Sequence, residues 1–397
     1  MMTVNKNIPC RLSLYIHIPF CVKKCLYCDF LSFSADSSKK EKYVSALLNE
    51  LSGWERILKL HFDTVFIGGG TPTCLKPQHL FKIGQAVSKY TDENTEFTIE
   101  ANPGTISDEH IEVFKKIGIN RISLGLQSAL NSELANLGRI HTYEEFYKNY
   151  QKLKKAGFDN INIDIMSGIP YQTLESYKDT LNRVVSLEPQ HISAYSLIVE
   201  PNTEFYKMQE LGKLKIADED TDRKMYGMTK EILKNYGYTR YEISNYSLKG
   251  KECRHNIAYW TGKDYLGIGL GASSYIGGVR FTGTKDFNKY TKIFVKSSPR
   301  DSALLQIKEN TKDDCIQLSD TEKMEEFMFL GLRMCKGVSK STFMEKFGVE
   351  MNTVYGDVIK YHLQNNLLAE ETNSGRIYLT DRGQDISNYV LSDFILK

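Results

Sequence analysis

The sequence predicts an α/β fold in which six strand–helix units build a partial (β/α)6 barrel, followed by a small, mainly helical domain of the winged-helix type. Between residues 10 and 235, short β-branched or alternating runs alternate with amphipathic stretches of helical length. Consecutive units of this kind favour a parallel sheet with helices outside it. Nearly every candidate functional side chain falls at the end of a strand, as in barrel enzymes. Periodicity alone leaves a doubly wound open sheet as the alternative.

The six predicted strands are compact runs that share β-type patterns, and they cover 12–18, 64–67, 96–100, 121–127, 160–166 and 191–199. The helical patterns between them have apolar residues at steps of three and four, and they cover 39–58, 77–90, 108–117, 143–156 and 174–186. Gly118 and Gly157 follow two of these helical patterns, where a C-terminal cap is expected.

Beyond residue 235 the pattern changes. A strand is predicted over 238–245, an aromatic-rich run covers 253–260, and the glycine-rich stretch 264–278 is predicted to be irregular. Helical patterns then cover 325–334, 340–347 and 353–365, and 375–379 is predicted to be one strand of a hairpin. The expected domains are therefore a barrel over 10–235, a connecting segment over 236–305 and a C-terminal domain over 306–397.

Composition limits the class of protein. The 397 residues are 41% hydrophobic and 25% charged, which is typical of a globular chain of two or three domains. No run approaches the roughly 18 apolar residues of a membrane span, and the first ten residues lack the apolar core of a secretory signal. Eight cysteines without an evident framework indicate reduced thiols, so a cytoplasmic location is expected. A net charge of +2 gives no overall attraction to nucleic acid.

Three cysteines with the spacing CxxxCxxC follow the first predicted strand, at Cys21, Cys25 and Cys28. Three thiolates can hold three corners of a [4Fe–4S] cluster, which ordinarily takes four cysteines, and they leave one iron open. That arrangement is the signature of radical S-adenosylmethionine (SAM) enzymes, in which the open iron chelates the amino acid end of SAM. A zinc loop or a redox dithiol is the alternative, but no other cysteines form the second pair that zinc sites usually have.

The run GGGTPT at residues 68–73 follows the second strand. Glycines let the backbone approach a ligand closely, and exposed N–H and C=O groups can bind a carboxylate and an ammonium. We interpret the run as the segment that binds the methionine end of SAM; a tight turn is the alternative.

Four polar residues lie near the ends of the third, fourth and fifth predicted strands or in the segments that follow them. Glu100 ends the third strand and can bind ribose hydroxyls or an ammonium, or it can cap the next helix. Gln127 ends the fourth strand and Asp164 lies late in the fifth. Arg139 can pair with an acidic surface neighbour, and Asp164 can be a satisfied buried carboxylate. We expect all four side chains to converge on one rim of the barrel.

Together, the run YIHIPFC with Cys25 and Cys28, the GGGTPT run and the four polar residues resemble the HemN/HemW branch of the radical SAM family. The resemblance covers most of the chain, including the C-terminal helical module. It implies that Cys21, Cys25 and Cys28 ligate the cluster. The SAM-site residues that it implies are Tyr15, Tyr27, Gly69, Gly70, Thr71, Glu100, Gln127, Arg139 and Asp164.

Within that branch, oxygen-independent coproporphyrinogen III dehydrogenases carry a further cysteine two positions after the last cluster cysteine, where this chain has Phe30. The chain also has only about ten residues before the first strand, without the N-terminal extension of those enzymes. HemW-type haem chaperones resemble it more closely, because they share CDF after the motif and a later HNxxYW segment, here His255 to Trp260.

The HNxxYW segment is the candidate haem site. His255 can ligate haem iron, and Tyr259 and Trp260 can pack against the porphyrin. Alternatively, the two aromatic residues fill a core between the barrel and the C-terminal module, with His255 hydrogen-bonded there. His17, His141 and His191 are the other candidate ligands.

The resemblance implies a haem chaperone with a [4Fe–4S] cluster, SAM and haem as cofactors. The expected partners are haem-requiring client proteins and an electron donor such as a flavodoxin or ferredoxin, with membrane contact only through clients. The alternatives are a coproporphyrinogen III dehydrogenase that uses a 5′-deoxyadenosyl radical, and a radical SAM enzyme with haem as a regulator. Whether SAM is cleaved, the client and the oligomeric state are open at this point.

Overall fold

Six parallel strands in chain order form the centre of the molecule, in a computed structural model that describes residues 10–296 and 315–396. They are β1 Cys10–Ile18, β2 Leu60–Gly69, β3 Glu96–Ala101, β4 Arg121–Gln127, β5 Ile161–Ser167 and β6 His191–Ser196. Each strand pairs with the next one along the chain, without the reversal of strand order that defines a doubly wound sheet. The predicted partial (β/α)6 barrel is confirmed.

Helices follow each of the six strands. They are α1 Ser37–Glu55, α2 Pro77–Ser88, α3 Asp108–Lys116, α4 Asn131–Asn136, α5 Tyr143–Lys155, α6 Leu174–Val185, α7 Glu204–Glu210 and α8 Glu219–Asn235, with a short 3₁₀ turn at Pro72–Cys74. Side-chain caps fix where several of them begin: Asp36 accepts a 2.8 Å hydrogen bond from the backbone of Lys39 in α1. The five helices predicted from periodicity are all present, with ends that differ by up to three residues.

The segment after residue 235 extends the same sheet at both edges. It contributes β7 Thr239–Arg240, β8 Asn245–Ser247, α9 Arg254–Trp260, β9 Tyr265–Ile268, β10 Ser273–Ile276, β11 Val279–Thr282, α10 Phe287–Lys296 and β12 Cys315–Gln317. Strand β8 pairs antiparallel with β6, and β9 pairs parallel with β1. The predicted strand at 238–245 is thus two short strands.

The prediction that 264–278 is irregular is wrong, because this stretch forms β9 and β10. Its glycines permit close strand approach instead of breaking the strands. A Cβ on Gly267 would lie 2.1 Å from the carbonyl oxygen of Ser273, so only glycine fits there.

The C-terminal part contains α11 Asp320–Gly331, β13 Val338–Ser339, α12 Lys340–Phe347, α13 Met351–Gln364, β14 Leu368–Glu371, β15 Arg376–Leu379, α14 Asp381–Asp385 and α15 Ser387–Ser392. Its three strands form a separate sheet over a core that includes Phe343, Tyr355 and Phe394. The three predicted helices and the hairpin are therefore confirmed. Among the described residues, no helix is both long enough and apolar enough to cross a membrane.

The two faces of the barrel strands differ in polarity. On β4, Ile122, Leu124 and Leu126 belong to the apolar core. The alternating residues of the same strand, including Arg121 and Ser123, line cavities inside the barrel. The barrel interior is thus a polar ligand space, unlike the packed interior of a closed (β/α)8 barrel.

Candidate functional site

The cysteine loop between β1 and α1 is held by backbone and side-chain hydrogen bonds. The N–H of Cys21 donates to the carbonyl of Phe33 at 3.1 Å, and the N–H of Leu26 donates to that of Leu137 at 3.0 Å. All three thiols of the motif are free and partly exposed. We call the space that they line the cluster cavity; its other lining residues include Tyr27, Gly69, Gly70, Thr71, Glu100, Gln127, Arg139 and Asp164. Eleven of the twelve residues implied for the cluster and SAM thus meet in one place, and the twelfth is Tyr15.

The arrangement of the thiols fits a cluster better than a single ion. Within the described parts of the chain, no three His, Cys, Asp or Glu side chains converge closely enough to hold one metal ion. Cysteines that ligate separate corners of a [4Fe–4S] cluster need not converge on one point.

Arg139 supplies a positive charge to the cluster cavity. Its Nη2 donates to Asn102 Oδ1 at 2.8 Å and to the Gly125 carbonyl at 2.6 Å, and its Nη1 lies 3.7 Å from Cys25 Sγ. None of these partners is the acidic surface neighbour considered from the sequence. A guanidinium at this position can offset negative charge on the sulfur ligands of a bound metal.

The glycine run packs against the cysteine loop through its own N–H groups. Gly69 donates to Glu100 Oε2 at 3.0 Å, Gly70 to the Ile18 carbonyl at 2.9 Å and Thr71 to the Phe20 carbonyl at 2.8 Å. Each of these three N–H groups already has a protein acceptor, so the binding of SAM by this run stays a prediction that depends on its other groups. A ligand ammonium would have to be met by carbonyl oxygens of the run.

Glu100 and Asp164 form an acidic pair in the lining of the cluster cavity. Burial, followed by the charge of Asp164, raises the pKa of Glu100 to about 7. Asp164 accepts from Asn162 Nδ2 at 2.7 Å and from Ser123 Oγ at 3.2 Å, and burial raises its pKa. The alternative that Glu100 caps the next helix is wrong, because Ser107 caps α3.

The raised pKa of Glu100 makes stability depend on pH. The folded protein keeps this proton up to about pH 7, whereas the unfolded chain releases it near the usual glutamate pKa of 4.5. The contribution of Glu100 to stability is thus complete below pH 4.5 and is lost as pH rises towards 7. Between pH 4.5 and pH 7, we expect the free energy of unfolding of Glu100→Gln to fall less than that of wild type, by up to about 3 kcal/mol. Chemical denaturation of the metal-free protein at pH 5 and pH 7.5 would measure this; parallel pH profiles would contradict it.

Gln127 reaches the cluster cavity through a distorted backbone. The pairing of β4 with β5 shifts register between Gly125 and Gln127, and Gln127 has φ 72°. A non-glycine residue in this conformation is strained, and such strain is concentrated at binding sites. The bulge directs this side chain to the cluster cavity.

A second space of about 530 Å³, the barrel cavity, adjoins the cluster cavity. The two share five lining residues, which are Phe30, Gly69, Glu100, Ser123 and Asp164. The barrel cavity is lined mainly by aromatic and polar side chains, which include Tyr15, Tyr195, Tyr259, Tyr265, His255 and Arg121. Its volume lies within the range of about 300–1,000 Å³ that is common for small-molecule sites.

The HNxxYW segment forms helix α9, which divides its aromatic residues between two places. His255 and Tyr259 are four residues apart and therefore share a face, which lines the barrel cavity. The two rings of His255 and Tyr259 lie 4.9 Å apart. Trp260 instead faces the C-terminal domain, where the guanidinium of Arg333 lies 4.7 Å from its ring. The structure thus separates Trp260 from the other two candidate haem residues.

Both ring nitrogens of His255 are engaged. Nδ1 lies 2.8 Å from Thr64 Oγ1, and Nε2 lies 3.1 Å from the hydroxyl of Tyr259. Burial lowers the pKa of His255 to about 3, so the imidazole is neutral. A histidine must be neutral to ligate iron, and Nε2 would have to exchange its bond to Tyr259 for the metal.

The other histidines considered as haem ligands are also hydrogen-bonded. His17 Nε2 donates to the Leu31 carbonyl at 2.9 Å, and His141 Nε2 donates to the Leu126 carbonyl at 3.3 Å. His191 lies 2.8 Å from the hydroxyl of Tyr241. Of these three, only His17 lines the barrel cavity.

Several cavity residues were not identified from the sequence, notably Arg121, Asn162, Ser193 and Tyr195. All four lie on β4 to β6 at positions that alternate with core residues. The signal was present in runs such as NINIDIMS, where every second residue is apolar. Polar residues facing each other across three neighbouring strands indicate a polar interior.

Comparison with known proteins gives two family matches. Residues 15–184 match the radical SAM superfamily, and residues 318–386 match the HemN C-terminal domain.

Among curated proteins, the heme chaperone HemW of Lactococcus lactis subsp. lactis (strain IL1403) is 39% identical over 386 residues, which is 97% of each chain. The heme chaperone HemW of Bacillus subtilis (strain 168) is 34% identical over 96% of this chain and 99% of its own. The solved structure of coproporphyrinogen III oxidase (HemN) from Escherichia coli superposes with a TM-score of 0.82 at 21% identity, over 98% of this chain and 90% of that one. That likeness shows the fold alone.

Proposed function

This chain belongs to the HemW family of radical SAM proteins, and from that premise we propose that it is a haem chaperone, which binds haem and delivers it to haem-requiring client proteins. The observation that carries the proposal is similarity over nearly the whole length to relatives with that name. The geometry supports it, because three residues of the HNxxYW segment, His255, Asn256 and Tyr259, line a cavity large enough for a small-molecule ligand.

Family membership implies a [4Fe–4S] cluster and SAM, and the residues present fit both. Cys21, Cys25 and Cys28 would hold three irons, and Arg139 would offset the negative charge of the thiolates. When bound, the cluster supplies an open iron and a single electron. The acidic pair of Glu100 and Asp164 would bind the cationic or hydroxyl-bearing parts of SAM.

We place haem in the barrel cavity. The neutral imidazole of His255 or the phenol oxygen of Tyr259 would hold its iron there, since both residue types ligate haem iron in proteins. Trp260 takes no part in this site and instead stabilises the contact between α9 and the C-terminal domain. We further propose a cytoplasmic location and reduction of the cluster by a flavodoxin or ferredoxin.

The competing function is oxidative decarboxylation of coproporphyrinogen III. Phe30 argues against it, because this side chain is 63% exposed and lines both cavities where they meet. The related dehydrogenases carry a cysteine at that position, and a phenyl ring cannot replace a thiol in proton or hydrogen-atom transfer.

Haem titration of variants tests the proposed site. We expect wild type to bind one haem, and His255→Ala or Tyr259→Phe to shift the Soret band or to weaken binding about tenfold or more. Trp260→Phe is the control from the same helix, and it should retain the wild-type spectrum. Unchanged spectra in both cavity variants would remove the HNxxYW segment from the haem site. If wild type binds no haem, the chaperone function itself fails.

A further inference from the structure

Arg121 is a buried arginine that has no salt bridge within the described part of the chain. It begins β4, is 2% exposed and lines the barrel cavity. Its Nε has no hydrogen-bond partner, and its charge interacts with Cys253, Glu96, Tyr241 and Asp164 without a direct ion pair. A buried charge of this kind is usually paired, because transfer of an ion out of water is unfavourable.

The carboxylates near Arg121 are engaged elsewhere. Glu96 and Asp164 are close enough to interact with its charge. Glu96 accepts from the backbone N–H groups of Arg254 at 2.9 Å and His255 at 3.0 Å, and thereby caps α9. Asp164 is held by the side chain of Asn162 at 2.7 Å, and burial raises its pKa. Neither carboxylate neutralises Arg121 by direct contact.

We propose that Arg121 binds a carboxylate of the ligand in the barrel cavity. A guanidinium presents parallel N–H donors that match a carboxylate in a bidentate pair, and such charge-assisted bonds are strongest away from water. The ligand class is a planar, carboxylate-bearing macrocycle. This inference rests on the proposed function, because haem has two propionate groups.

The rest of the cavity fits such a ligand. The rings of Tyr259 and Tyr265 lie 4.6 Å apart at 85°, and with Tyr195 they offer aromatic surface beside Arg121. SAM also has a carboxylate, but Arg121 lines the barrel cavity and not the cluster cavity. A carboxylate at Arg121 and a metal at His255 or Tyr259 would place the macrocycle within the barrel.

Haem dimethyl ester tests the contribution of the carboxylates to binding independently of the macrocycle. We would titrate the metal-free wild-type protein with haem and with haem dimethyl ester. The two macrocycles differ only in whether the propionates are free carboxylates or neutral methyl esters. We expect wild type to bind haem roughly 10–100-fold more tightly than the ester. Arg121→Met should bind both equally, and Arg121→Lys should recover part of the difference, because lysine keeps the charge but lacks the fork.

Arg240 provides a matched control. Its side chain is 8% exposed, and it interacts with Tyr226 and Asp381 away from the cavity. Arg240→Met should therefore keep the preference for haem over the ester. Equal binding of both compounds by wild type would overturn the role of Arg121 while the chaperone function stands, and so would an unchanged preference in Arg121→Met. Failure of wild type to bind either compound would overturn both.

Discussion

Replacement of any one of Cys21, Cys25 or Cys28 by alanine is expected to abolish the broad visible absorbance of an iron–sulfur cluster after anaerobic reconstitution. Each thiolate is expected to hold one iron, and among the described residues no fourth cysteine lines the cluster cavity to replace a missing one. Iron and sulfide analysis of each variant should show near-complete loss, while circular dichroism should remain that of a folded protein.

Cys74→Ala and Cys335→Ala are the controls. Cys74 is the more demanding one, because its thiol lies near enough to Cys21 for their charges to interact, yet it does not line the cluster cavity. Both variants should keep a full cluster. Loss of the cluster in Cys74→Ala, or its retention in any of the three loop variants, would contradict the assignment.

Gly70→Val is expected to give the second large effect, the loss of SAM binding. A Cβ on Gly70 would lie 2.9 Å from the Phe20 carbonyl, 3.0 Å from Cys21 Sγ and 3.1 Å from the Ile18 carbonyl. Two of these neighbours are backbone atoms that cannot rotate away, so the glycine run and the cysteine loop must separate. We expect SAM affinity of the reconstituted protein to fall by about a hundredfold or more in equilibrium dialysis.

Gly227→Ala is the matched glycine control, since a Cβ there meets no atom within 4 Å and the residue lies inside α8. It should bind SAM as wild type does and be slightly more stable, by about 0.5–1 kcal/mol. SAM binding that is equal in wild type and Gly70→Val, or equal with and without the cluster, would contradict the arrangement of the cluster cavity.

The barrel could be predicted from the sequence because its strands and helices have clear, separate periods. In the first six units, apolar residues that cover the outer face alternate with polar ones, and glycine or polar residues mark the ends. The extension by β9 and β10 could not be predicted in this way. Its glycines, such as Gly267, are the usual sign of irregular structure, and their role in close pairing depends on Ser273 in the neighbouring strand.

The cluster cavity was largely predictable, since its residues belong to contiguous motifs at strand ends. The barrel cavity was not, because Arg121 begins a strand and is separated in sequence from Asn162 and Tyr195, which complete the same surface. The sequence also could not predict that the N–H groups of Gly69, Gly70 and Thr71 donate hydrogen bonds to other parts of the protein. Their acceptors lie on β1, on the residues after it and on β3.

The separation of Trp260 from His255 follows from helical geometry. Residues four apart lie on one face of a helix, whereas the fifth residue is rotated away from it. Helix α9 has only seven residues, which is too short for a clear periodic pattern in the sequence. Its formation could not be predicted, because the carboxylate that caps it, Glu96, lies on a distant strand.

One measurement tests the central claim most directly. A single anaerobic preparation with reconstituted cluster, SAM and a reductant is divided, and one half is titrated with haem while the other is incubated with coproporphyrinogen III. We expect one haem bound per chain and no loss of carboxyl groups from the porphyrinogen. Conversion of coproporphyrinogen III to protoporphyrinogen IX without haem binding would contradict the chaperone function and assign the chain to the decarboxylating enzymes.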